Sequence, residues 1–198
     1  MNETELIENR RLRAPPGEDF WVFGYGSLMW RPDFPHRRIE PALLHGYHRA
    51  FCIRSYHYRG TRERPGLVLG LARGGSCLGR ALLVAAADGA YVANYLHERE
   101  MITGVYIPRW FDIRIGADPA RGERVRAVAY IGDPKHEQFC GGLPDEALAD
   151  IIVKGAGVSG NNVDYLEATV RHLDELGIRE NRLHRILRRV QAMRDGPG

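Results

Sequence analysis

Residues 21–35 read WVFGYGSLMWRPDFP, and this stretch decides the prediction of the fold. The apolar run at residues 21–23 is typical of a buried strand, and it leads directly into the loop Gly24-Tyr25-Gly26-Ser27. Two glycines one residue apart let the backbone turn sharply and approach a bound group. The N–H groups of such a loop can donate to a polar or anionic group. We therefore expect a binding loop here, although from the local pattern a plain strand-to-turn corner is an equal alternative.

The same stretch does not match the nucleotide-binding or hydrolase motifs that paired glycines suggest. A dinucleotide fingerprint needs a third glycine three residues after the second, followed by a helix. That position is Met29, and Pro32 and Pro35 oppose a following helix. The Gly-Lys-Ser/Thr of a P-loop is absent. A nucleophile elbow needs a glycine two residues after its serine, and the residue at that distance from Ser27 is Met29.

Three motifs together resemble one family. Residues 23–35 form the first, residues 95–108 read YLHEREMITGVYIP, and residues 157–166 read GVSGNNVDYL. Each is similar to a segment of the ChaC-type γ-glutamylcyclotransferases, in the family's order, and the resemblance extends over nearly the whole chain. It implies a small mixed β-barrel flanked by helices, and an enzyme that releases 5-oxoproline and cysteinylglycine from glutathione. The connection after residue 100 resembles the bacterial branch of that family.

Composition is compatible with such an enzyme and argues against other classes. The formal net charge of +3 is too small to predict nucleic-acid binding. No apolar stretch is long enough to span a membrane, and the polar first residues do not resemble a signal peptide. The three cysteines, Cys52, Cys77 and Cys140, are far apart and odd in number. We therefore expect free thiols in a reducing cytoplasm.

The apolar pattern predicts an α+β fold. Strand-like runs lie around residues 20–24, 42–53, 66–72, 77–86, 105–115 and 125–131, a helix lies around 88–100, and three more helices fill the C-terminal third. Strands that precede most of the helices favour a closed or strongly curved sheet. We predict residues 1–18 to be a mobile or loosely docked leader. Residues 19–195 are predicted to form a single γ-glutamylcyclotransferase-like domain, and the sequence leaves its oligomeric state undetermined.

Glu98 and Glu100 are the two candidate catalytic carboxylates. Arg99 lies on the helix face that docks on the core, and the two glutamates project on opposite flanks of that face, so the helical pattern does not choose between them. The family's Arg-Glu-Met motif implies Glu100. Gly104 and Pro108 limit the helix, so Glu100 is expected near its C-terminal end. There the helix dipole should raise the pKa of the carboxyl, and Arg99 would oppose this shift if it turned inward.

The resemblance implies an intramolecular reaction. The glutamyl α-amine attacks the γ-carbonyl carbon and closes a five-membered lactam. Since the amine is mostly protonated at neutral pH, a base must remove its proton. We expect Glu100 to act as this base and then to protonate the departing nitrogen. The amides of the glycine loop are the candidate donors to the oxyanion. The chemistry requires no metal, nucleotide or redox cofactor.

The other site residues are expected to bind substrate. Arg49, Ser55 and Arg59 match family-like positions, and a guanidinium binds a carboxylate of glutathione in a bidentate way. For each arginine a solvated loop is the alternative. Tyr165 resembles the family tyrosine whose hydroxyl faces the site, and a core position is its equal alternative. The predicted binding set is Val22, Phe23, Gly24, Tyr25, Gly26, Ser27, Leu28, Arg49, Ser55, Arg59 and Tyr165.

No metal site is predicted, and two other functions stay open. His45 and His48 face opposite sides of a strand, and Met101 replaces the second histidine of a zinc-protease motif after His97. Cyclotransferases for other γ-glutamyl amides share the fold and the loop. A non-catalytic γ-glutamyl-binding or regulatory domain needs the loop but no ionisable base, so Glu100 distinguishes it from an enzyme.

Overall fold

The computed structural model describes residues 3–195, with side chains from residue 5 onward. The described residues form two compact units. The first contains the residues up to Arg49 together with Leu71–His136, and the second contains Ala50–Gly70 together with the residues from Glu137 on. The elements in chain order are α1 (Glu3–Asn9), β1 (Phe20–Gly24), β2 (Arg38–Ser55), β3 (Gly66–Val84), α2 (Gly89–Glu100), β4 (Tyr106–Ile115), β5 (Glu123–Gly132), α3 (Asp145–Lys154), β6 (Ala156–Gly157), β7 (Gly160–Asn161), α4 (Asn162–Glu175) and α5 (Asn181–Asp195).

The main sheet closes into a five-stranded barrel in the order β1-β3-β2-β4-β5. β1 pairs antiparallel with β3, from Phe20 opposite Val84 to Gly24 opposite Arg80. It also pairs in parallel with β5, which closes the barrel. Closure satisfies the backbone groups that an open sheet leaves at its edges. The prediction of an α+β fold built on a small mixed barrel is confirmed.

Two predicted strands are in fact one. The runs predicted at residues 66–72 and 77–86 belong to the single strand β3. Its apolar pattern is interrupted at Gly74 and Gly75, which adopt φ angles of 97° and 69°. Glycine tolerates this left-handed conformation, so the strand bends there and continues. β2 also begins earlier than predicted, because its first residues are exposed or half-buried and lack an apolar pattern.

The core of the first unit fixes α2 against β1. Val22 of β1 packs in one buried cluster with Val92 and Leu96 of α2 and with Val128 of β5. All four side chains are inaccessible to solvent. Since each such side chain contributes about 1.5–3 kcal/mol on burial, this packing holds α2 against β1.

Part of the predicted leader contacts the first unit. Leu12 is buried. The Arg10 guanidinium donates to the carbonyl oxygen of Gly104 at 2.7 Å and forms an ion pair with Asp133 at 2.5 Å. Residues 1 and 2 lie outside the described residues. The mobility of the leader and the single-domain boundary stay predictions.

The second unit contains the three predicted C-terminal helices, α3, α4 and α5. Asn162, at the start of α4, is fully buried. Its side-chain amide accepts a hydrogen bond from the N–H of Leu67 at 2.6 Å and donates to the carbonyl oxygen of Leu67 at 2.7 Å. On α5, Arg182 and Arg185 form ion pairs with Asp145. No helix in the described part of the chain has both the length and the apolar character needed to cross a membrane.

Candidate functional site

The glycine loop follows β1 directly. Residues Ser27–Met29 form one 3-10 turn, which is the only helical structure between Gly24 and the prolines in this described stretch. A Cβ on Gly24 would lie 3.1 Å from the Cβ of Leu28, so the turn folds back tightly on the strand end. The amides of Gly26, Ser27 and Leu28 donate no hydrogen bond to any residue that the structure describes. These N–H groups can therefore bind an external acceptor.

Several predicted binding residues can offer only their backbone. Val22, Phe23 and Leu28 are buried, and their side chains belong to the core. Their predicted role in binding therefore depends on the main chain that they hold in place, and it stays a prediction.

β3 comes close to the loop at Gly79, a residue for which the sequence predicted no role. A Cβ there would lie 2.3 Å from the carbonyl oxygen of Gly24 and 2.8 Å from the Phe23 ring. A side chain at Gly79 would thus displace the strand end that leads into the loop. A glycine inside a strand pattern is a signal for such a close backbone approach.

Arg49 is buried and holds the loop from within. Its Nε donates to the carbonyl oxygen of Tyr25 at 2.5 Å, and its Nη2 donates to the carbonyl oxygen of Leu78 at 2.5 Å. Both Arg49 and Tyr25 are less than a tenth exposed. These contacts indicate that the guanidinium fixes the loop backbone. The binding of a substrate carboxylate by Arg49 stays a prediction.

Glu100 is the last residue of α2, as the motif and the helix limits predicted. Its side chain is 17% exposed, whereas Glu98 is exposed, so the structure separates two carboxylates that the helical pattern did not. Burial raises the pKa of Glu100 above its usual value, and the positive charge of Arg99 opposes this. The direction of this pKa shift agrees with the expectation, and burial is its main cause.

Arg99 connects Glu100 to the glycine loop. Its Nη2 donates to the Ser27 hydroxyl at 2.9 Å, and its Nε lies 3.4 Å from Oε1 of Glu100. Further hydrogen bonds, to the Tyr95 hydroxyl and to the carbonyl oxygen of Arg31, are each 2.8 Å long. The planar guanidinium thus contacts the loop and the carboxylate at once. This link was missed in the sequence, which suggested only that Arg99 would act on the pKa of its neighbour.

The remaining predicted residues cluster in the second unit. The Ser55 hydroxyl accepts a hydrogen bond from the N–H of Arg59 at 3.1 Å. The Arg59 guanidinium donates to the carbonyl oxygen of Ser159 at 2.5 Å and lies 5.1 Å from the centre of the Tyr165 ring. Tyr165 is half-buried and packs edge-on against Phe51. The structure therefore brings Ser55, Arg59 and Tyr165 together within this unit.

The three thiols are buried, and the side chains that could bind a metal are not grouped in the part of the chain that the structure describes. Cys52, Cys77 and Cys140 are free and buried. Burial raises the pKa of Cys52 to about 12, so this thiol is not a nucleophile at neutral pH. Within residues 3–195, no three His, Cys, Asp or Glu side chains are grouped so as to hold a metal ion.

Comparison with known proteins gives one consistent family. The family model for ChaC-like proteins matches residues 20–193. A glutathione-specific γ-glutamylcyclotransferase of Escherichia coli (strain K12) is 35% identical over 173 residues, which are 87% of this chain and 73% of the relative. Glutathione-specific γ-glutamylcyclotransferase 1 of Homo sapiens is 33% identical over 148 residues, covering 74% of this chain and 66% of the relative.

A solved structure shares the fold. The crystal structure of a yeast γ-glutamylcyclotransferase specific to glutathione superposes with a TM-score of 0.79 at 22% sequence identity. The match covers 89% of this chain and 100% of the yeast chain. At this identity the similarity concerns the architecture of the backbone.

Proposed function

Because this chain belongs to the ChaC-like protein family, we propose that it is a γ-glutamylcyclotransferase that cleaves glutathione to 5-oxoproline and cysteinylglycine. One observation carries the proposal. The half-buried carboxylate of Glu100 lies beside the glycine loop, and the Arg99 guanidinium contacts both. A binding module needs the loop alone, whereas a buried carboxylate beside the loop is what proton transfer requires.

Glu100 is the base and the acid of the reaction. Burial raises its pKa, so the carboxylate binds a proton more readily than an exposed glutamate does. It takes a proton from the substrate α-ammonium, whose own pKa is about 8 in a free α-amine. The freed electron pair attacks the γ-carbonyl carbon. As the amide bond breaks, Glu100 gives this proton to the departing cysteine nitrogen. Glu100 then takes the second proton from the cationic ring nitrogen, which leaves a neutral lactam, and passes it to the new α-amine of cysteinylglycine.

The loop amides stabilise the oxyanion. The N–H groups of Gly26, Ser27 and Leu28 have no acceptor within the described chain. Arg49 and Arg99 hold the loop from two sides, so its donors are oriented before the substrate binds. One such donor typically contributes about 3 kcal/mol to the transition state.

We assign Arg59 to a carboxylate of glutathione, since its charge is already oriented by Ser159 and Tyr165.

The enzyme works in the cytoplasm in this proposal. Its three free, buried cysteines are typical of a reducing compartment.

The test measures 5-oxoproline released from glutathione, γ-glutamylalanine and γ-glutamyl-ε-lysine by the purified protein. We expect glutathione to react fastest. Glu100→Gln should keep the fold and nearly the same affinity for glutathione, and should lower kcat by about 10²–10⁴-fold. Glu98→Gln, an exposed neighbour on the same helix, is the matched control and should keep full activity.

Two results would contradict the proposal. Normal release of 5-oxoproline by Glu100→Gln would reject the mechanism. Release from another γ-glutamyl amide but not from glutathione would reject the substrate.

A further inference from the structure

Tyr130 carries a buried hydroxyl that the reaction described above does not use. The residue lies on β5, opposite Pro108 in the ladder with β4. Its side chain is 2% exposed, and its hydroxyl has no hydrogen-bond partner among the described residues. Buried hydroxyls nearly always have such a partner, and one without it destabilises the fold. The position of this hydroxyl therefore requires an explanation other than stability.

The Tyr130 ring packs in the same core cluster as residues next to the candidate base and the glycine loop. The Tyr130 ring packs in the cluster that contains Val22 and Leu28, on either side of the glycine loop, and Met101, directly after Glu100. Burial and the negative charge of Glu100 both raise the pKa of the Tyr130 phenol. The ring thus shares a core cluster with residues that flank the loop and with the residue that follows Glu100, and its hydroxyl experiences the charge of the carboxylate.

We propose that the Tyr130 hydroxyl binds the α-ammonium group of the γ-glutamyl substrate, together with the carboxylate of Glu100. This inference rests on the proposed function. The negative charge of Glu100 attracts a cation and repels an oxyanion, so the ammonium is the substrate group that suits this place. An ammonium has three N–H donors, and the tyrosine oxygen accepts one while Glu100 accepts another.

The arrangement also fits the proton transfer. A phenol with a raised pKa keeps its own proton, so Tyr130 stays neutral and does not compete with Glu100 for the ammonium proton. When Glu100 takes one proton, the hydrogen bond to Tyr130 still orients the amine. The electron pair released on nitrogen then points at the γ-carbonyl carbon.

The test compares two ligands that differ only in the amine. Binding of glutathione and of its analogue without the α-amino group, glutaryl-cysteinylglycine, is measured by calorimetry on Glu100→Gln with and without Tyr130→Phe. We expect Tyr130→Phe to weaken the binding of glutathione by about 10-fold or more, the usual effect of a hydrogen bond to a charged group. Binding of the analogue should not change.

A matched control removes the same atom elsewhere. Tyr47 is also buried and packs against Phe111, outside the proposed site. Tyr47→Phe should leave the binding of both ligands unchanged. The Tm of Tyr130→Phe without ligand should equal or exceed that of its parent, because no hydrogen bond within the protein is lost.

The possible failures are distinguishable. Equal weakening of both ligands together with a lower Tm would assign Tyr130 a structural role and overturn the inference alone. No change in the binding of glutathione would overturn it as well. If the wild-type protein releases no 5-oxoproline and its Glu100→Gln variant binds no glutathione, the proposed function and this inference both fail.

Discussion

Two regions of the molecule use an arginine in different ways. The Glu100 site comprises the glycine loop, Arg99 and Glu100. Here the guanidinium contacts the carboxylate of Glu100, and the burial of this carboxylate opposes its ionisation. In the Arg59 cluster, which comprises Ser55, Arg59 and Tyr165, the guanidinium contacts a backbone carbonyl and an aromatic face. The first arrangement shifts a pKa and suits proton transfer, whereas the second orients a charge and suits binding.

After Glu100 itself, the largest effect on activity is expected at Arg99. Arg99→Gln removes the group that joins Ser27 to Glu100, so kcat/KM for glutathione should fall by about 10²-fold through lost positioning. The charge of Arg99 lowers the pKa of Glu100, so the acidic limb of the pH profile should move to higher pH. Arg99→Lys keeps the charge and loses the planar fork. In Arg99→Lys the acidic limb should therefore lie where it does in the wild type, while kcat/KM stays low. An acidic limb that does not move in Arg99→Gln would contradict the assigned effect of Arg99 on the pKa of Glu100.

The next effect concerns the approach of β3 to the loop. Gly79→Ala places a methyl group against the carbonyl oxygen of Gly24 and should destabilise the protein by about 1–3 kcal/mol, with a loss of activity. Denaturant unfolding and 5-oxoproline release measure both. Ser76→Ala, at an exposed position on the same strand, is the control. A wild-type unfolding midpoint for Gly79→Ala would show that the strand end can move freely.

At the Arg59 cluster we expect an effect on KM without one on kcat. Arg59→Gln should raise KM for glutathione by about 10-fold, because the substrate carboxylate loses its hydrogen bond to a positively charged group. Arg64→Gln, in the same loop and exposed, should change neither constant. A large fall in kcat for Arg59→Gln would remove the distinction between the two regions.

The smallest effect is on stability at the Glu100 site. The pKa of Glu100 is higher in the folded state than in the unfolded state, where it is about 4.3. Ionisation of Glu100 therefore destabilises the folded protein at pH values above the folded-state pKa, and it has no effect on stability at pH values below about 4.3. Glu100→Gln should therefore have a higher Tm than the wild type at pH 8, and the difference should vanish near pH 4. Thermal unfolding at both pH values measures it, with Glu98→Gln as the control. A lower Tm for Glu100→Gln at pH 8 would contradict the assigned burial.

Local patterns were sufficient to predict most elements of the fold, but not α1, β6 or β7. The run at residues 21–23 predicted β1, and the glycine pair predicted a loop or turn directly after it. The helix ending at Glu100 was also predicted. These features depend on residues a few positions apart, whose spacing and glycine content the chain displays directly. The full length of β3 was not predicted, because Gly74 and Gly75 interrupt its apolar pattern but not the strand itself.

The relations on which the proposed reactivity of the site depends were decided only by tertiary structure. Arg99 and Ser27 are 72 positions apart, and the same side chain also contacts the neighbouring Glu100. The helical pattern left Glu98 and Glu100 equivalent, and only packing against the barrel buried one of them. A pKa responds to the solvent and charges that the folded chain brings to a group, and no spacing along the sequence specifies these.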